Sequence, residues 1–114
     1  MAGAEMSQII DWIADWVMTA EEPVAALPMA LARAFPDAPP LRLVLAMASA
    51  CDGIASMMRG NGATAARIEA GWREAALLAA ELHVMDLHNM PRARASDLLE
   101  WWARGGVQSI QTAP

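Results

Sequence analysis

Read at about 100° per residue, the apolar positions of this chain fall into helical stripes rather than strand alternation. Residues 5–18 place Met6, Ile9, Ile10, Trp12, Ile13, Trp16 and Val17 on one side and Ser7, Gln8, Asp11 and Asp15 opposite. That pattern predicts an amphipathic helix with a solvated acidic face. In "TAEEP", Thr19 and Glu22 stand at capping-box spacing and Pro23 suits an early helical turn. Pro28 then interrupts, so a second helix is expected from about 27 through Phe35. The strongest break is "FPDAPP", residues 35–40, where Asp37 is the expected N-cap of a third helix. Pro39 and Pro40 would occupy its first turn, where missing amide donors cost least. The third helix, about 38–59, carries Leu43, Val44, Met47, Ala50, Cys51, Ile54, Met57 and Met58 on one face. Its many small residues would let a neighbouring helix approach closely. "GNG", 60–62, ends it, with Gly60 or Asn61 suited to a left-handed C-cap.

A fourth helix, about 63–87, carries two stripes. Ile68, Trp72, Ala75, Ala79 and Leu82 form one; Leu77, Ala80, Val84 and Leu87 form another on roughly the opposite side. A helix apolar on two sides is central in its bundle or shared with another chain, and sharing is the reading preferred here. After "NMPRARAS", Ser96 is the expected cap of a short helix, 97–104, with Asp97 at its positive end and Arg104 at its negative end. Gly105 and Gly106 stop it. The expected fold is all-α: a compact bundle of four to five helices without a sheet. Residues 1–106 would be one domain and 107–114 a flexible tail. The expected core includes Trp12, Ile13, Trp16, Leu43, Met47, Ile54, Ile68, Trp72, Leu82 and Leu98.

Composition adds one suspicion. With 114 residues, 56% hydrophobic and 18% charged, the chain is richer in apolar and poorer in charged residues than ordinary domains. The surplus apolar surface points to self-association or a protein partner. The single cysteine, Cys51, excludes an internal disulfide and suits a reducing compartment. The run 43–51 is bounded by Arg42 and Asp52, short of the roughly 20 apolar residues a crossing helix needs. With no positively charged N-terminal region, a cytoplasmic protein that contacts no membrane is expected. A net charge of −5 disfavours direct nucleic-acid binding. All basic residues are arginine, and lysine and tyrosine are absent, a GC-rich codon bias that suggests a bacterial or phage origin.

Two short stretches carry candidate chemistry. In "HVMDLHNM", 83–90, His83 and Asp86 share a helix face at ligand spacing, and His88 could join them if the helix ended near 86. No second cluster completes a coordination sphere, so no metal or other cofactor is expected, and a buried His83–Asp86 hydrogen bond is the simpler outcome. In "EWWARGG", Trp101 and Trp102 point about 100° apart, so that one can enter the core while the other reaches a rim. Both join Leu77, Ala80, Val84 and Leu87 as candidate interface residues. The function expected is a non-catalytic adaptor or regulator, homodimeric or docked to a protein partner. One alternative is an acidic phage-type inhibitor or nucleic-acid mimic aimed at a host nuclease complex, suggested by Asp11, Asp15, Glu21 and Glu22. Another is a metal-binding or enzymatic protein using His83, Asp86 and His88.

Overall fold

A computed structural model describes residues 5–57 and 62–107, whose regular structure is entirely helical, without a strand among them. Helix α1 is Met6–Thr19; a 3-10 turn, Val24–Ala26, leads into α2, Leu27–Ala34. Then come α3, Pro40–Met57, α4, Gly62–Leu87, and α5, Ala95–Ala103. Helix α3 is central, packed between α1 and α4, while α2 rests on α5 and the 3-10 turn on α4. One core runs through all five helices. The all-α bundle read from the periodicity is the observed fold.

The helix ends differ from the sequence reading in three places. Thr19 closes α1 instead of opening α2: its Oγ1 donates to the Asp15 carbonyl at 2.7 Å. Asp37 is not the cap of α3, which begins at Pro40 with the Pro39 carbonyl accepting from the Arg42 amide at 2.9 Å. Asp37 lies too early for that role, in a turn whose backbone has another use. The Pro36 and Ala38 carbonyls accept from the Ser96 and Ala95 amides at 2.9 and 2.8 Å, so this turn supplies acceptors to the start of α5. Ser96 is therefore inside α5 and caps nothing. Its expected role falls to Asp97, whose Oδ2 accepts from the Ala93 and Arg94 amides at 2.9 and 3.1 Å.

Helix α4 ends in a Schellman closure. Asn89 takes the left-handed conformation at φ 54°, and the Met90 amide donates back to Met85 at 2.9 Å. The same device ends α5, where Gly106 donates to Trp101 at 2.9 Å and Gly105 to Trp102 at 3.0 Å. The expected left-handed caps Gly60 and Asn61, and Met58, lie outside the described residues, as does the tail beyond Val107. Val107 itself packs against the core.

Seven of the ten expected core residues are buried: Ile13, Leu43, Met47, Ile54, Ile68, Leu82 and Leu98. The three that are not are tryptophans. Trp12 and Trp16 are half-buried at the core's edge, Trp12 meeting Phe35 edge-on at 5.9 Å. Trp72 is 42% exposed, which overturns its place in the core. The buried stripe of α4 is Ile68, Gly71, Ala75, Leu78, Leu82 and Met85. It is turned about half a residue step from the expected one, with Gly71 and Leu78 in place of Trp72 and Ala79. The reason is at the crossing with α3, where a Cβ on Gly71 would sit 2.5 Å from Cys51 Sγ. No larger side chain fits there, so the indole beside it faces outwards. Trp72→Ala is accordingly expected to cost no more than about 1 kcal/mol, well below the buried-aromatic range, in a urea unfolding titration.

By length and composition alone α3 could cross a membrane, with 18 residues at a mean hydropathy of 1.2. The bounded run 43–51 understated it, because Arg42 and Asp52 are too few to break an apolar helix. In this fold Leu43, Ala46, Met47, Ala50, Cys51 and Ile54 of α3 are buried in the chain's own core.

Candidate docking surface on the fourth helix

The second stripe of α4 turns away from the core, as its spacing requires once the first is buried. Leu77 is 55% and Leu87 66% exposed, and Ala80 is exposed between them. Val84 is half-buried and packs on the core, so the stripe is interrupted at that position. Isolated exposed leucines are ordinary; a contiguous apolar patch is not.

Leu77 also lines a cleft of about 310 Å³ between α2, α4 and α5. Pro28 and Met29 form one wall, Leu77 and Leu78 the other, and Trp102 stands at the α5 end. Two carboxylates, Glu74 and Glu81, lie in this apolar lining, seven residues apart and so on one side of α4. Burial pushes the Glu74 carboxyl above its ordinary range, and neighbouring Arg73 pulls it partly back. Arg73 is otherwise directed to Glu69, 4.0 Å away. No arginine among the described residues reaches ion-pair distance of Glu74 or Glu81.

Glu81 is held by the core. Its Oε2 accepts a 2.6 Å hydrogen bond from Trp101 Nε1. Trp101, expected at an interface, is 2% exposed and has no surface left for a partner. Trp102, half-buried beside the cleft, is the member of the pair that reaches a rim. Gly106 packs over this corner at φ +56°, where a Cβ would lie 3.0 Å from Glu81 Oε2. The adjacency of the two tryptophans announced the division of labour in the sequence. The link from Trp101 to Glu81, 20 residues away, had no local signal.

The histidine stretch is not assembled. His83, Asp86 and His88 are all exposed, so the buried His83–Asp86 hydrogen bond is not formed. Asp86 instead pairs with Arg92, which the turn after Asn89 brings back beside α4. Helix α4 ends at Leu87, close to where the sequence would need it for His88 to join, yet His88 lies exposed just beyond that end and meets neither His83 nor Asp86 in any bond. Among the described residues no group of three histidine, cysteine or carboxylate side chains converges on a metal-sized space. Cys51 is buried, and burial pushes its thiol up, away from nucleophilic character.

Arg67 lies between the two apolar stripes of α4, and nothing in the sequence pattern marks it out. Its Nε donates to the Val17 carbonyl at 2.7 Å and its Nη1 to the Glu22 carbonyl at 3.1 Å. Its guanidinium also lies 5.6 Å from the Trp16 ring centre. A cation at the negative end of α1 is electrostatically favourable, and here it ties α4 to the α1–α2 connection. Compared with protein-family models, curated proteins and solved structures, the chain matches none.

Proposed function

We propose that this chain is a non-catalytic adaptor or regulator of the cytoplasm that works by docking proteins, and that it pairs with a second copy of itself through the outer face of α4. The observation that supports this reading is the exposure of Leu77, Ala80 and Leu87 along the outer side of the longest helix. Covering each large aliphatic group is worth roughly 1.5–3 kcal/mol. In an antiparallel pair of α4 helices, both copies would cover these positions together.

Light scattering after size exclusion tests it. The wild type should elute at twice the chain mass, and Ala80→Glu/Leu87→Glu should give a single-chain mass with its helical circular dichroism intact. Val84 is a poor site for this test, since its half-buried side chain belongs to the core. A wild type that remains a single chain up to high micromolar concentration would refute the pairing.

A further inference from the structure

We propose that the cleft between α2, α4 and α5 receives an arginine side chain presented by an apolar segment of a partner protein. This rests on the docking reading above and names the chemistry of what docks. Glu74 and Glu81 put two carboxylates into an otherwise apolar cleft. With Arg73 turned to Glu69, neither has an arginine partner among the described residues. Their Cα atoms stand about 10 Å apart along α4, at roughly 1.5 Å per residue. Two carboxylates on one wall at that separation can both serve a guanidinium set between them, which is planar and offers donors along several edges. An ammonium, a compact point charge, would serve one carboxylate and leave the other unmatched.

The apolar walls suit the rest of such a ligand. Pro28, Met29, Leu77 and Leu78 offer contact to an aliphatic stem, and Trp102 adds aromatic surface at the α5 end. A volume of about 310 Å³ is at the small end of ligand sites and accommodates one side chain rather than a folded element. Glu81, fixed by its bond from Trp101, presents its carboxylate in a set position, so little ordering is needed on binding. The chain's net charge of −5 favours approach of a basic partner.

The test is a nuclear magnetic resonance titration of nitrogen-15-labelled full-length protein, following the indole N–H signals. Two probes are used: the blocked peptide Ala-Leu-Arg-Leu-Ala, and the same peptide with citrulline, an uncharged isostere, in place of arginine. The arginine peptide should shift the Trp102 and Trp101 indole signals saturably and leave Trp72 unmoved, while the citrulline peptide binds at least tenfold more weakly. Glu74→Gln and Glu81→Gln should each weaken the arginine peptide several-fold without loss of helical signal; the glutamine at 81 can still accept from Trp101. Equal binding of both peptides, shifts centred on Trp72, or no shift at millimolar peptide would overturn the proposal. So would dissociation of a homodimer by Glu74→Gln, which would assign the cleft to a second copy. A monomeric wild type that binds the arginine peptide at this cleft would instead refute the pairing and leave the cleft's assignment standing.

Discussion

Trp101→Ala should remove about 3–5 kcal/mol of folding stability, the cost of deleting a fully buried large aromatic side chain. A domain of this size has on the order of 5–15 kcal/mol in total, so the variant should be marginal or unfolded at 37 °C. Trp101 is 2% exposed and its indole is the donor that holds Glu81 at 2.6 Å. The two contributions can be separated. Trp101→Phe keeps most of the apolar surface and removes the N–H together with a small part of the ring, leaving a carboxylate that can still turn to water. That change should cost about 1–2 kcal/mol, set by one charge-assisted hydrogen bond and a small loss of volume. Urea unfolding of both variants provides the comparison. A Trp101→Ala protein as stable as the wild type would mean that α5 is not part of the core.

Gly71→Ala is the second expectation, and its value lies in its sign. In an exposed helix interior, replacing glycine by alanine stabilises by about 1 kcal/mol. At this position the new methyl group would stand 2.5 Å from Cys51 Sγ, inside contact distance, with the cysteine fully enclosed. Relief requires α3 and α4 to separate or the thiol to leave its place in the core, an overpacking cost of about 1–3 kcal/mol. With the sulfur fully enclosed the contact outweighs the propensity, and Gly71→Ala should destabilise by up to about 2 kcal/mol net. Cys51→Ala supplies the control, because it removes the sulfur. In that background Gly71→Ala should be neutral or stabilising, and the thermal midpoints of the four proteins in the double-mutant cycle report it. Additive effects of the two substitutions would show that the helices do not cross at this pair.

The sequence by itself determined the class of fold and most of its boundaries. Spacings of three and four between apolar residues are a local property of the α-helix, and the prolines at 36, 39, 40 and 91 interrupt it for equally local reasons. The second stripe of α4 was legible for the same reason, with Leu77, Ala80 and Leu87 left outside once the first was covered. Which tryptophans are enclosed could not be decided that way. A stripe defines the inward direction of a helix only to within about half a residue step, and that step separates Gly71 from Trp72. Tertiary packing made the choice through the closeness of α3 and α4 at Cys51, where an indole has no room. The same holds for the polar contacts. Arg67 meets the carbonyls of Val17 and Glu22 across 50 and 45 residues, and Trp101 meets Glu81 across 20. Asp86 and His83 share a helix face, yet Asp86 is drawn to Arg92 by the turn that follows α4. Periodicity describes one helix at a time; a buried donor takes whichever acceptor the arrangement of all five helices sets before it.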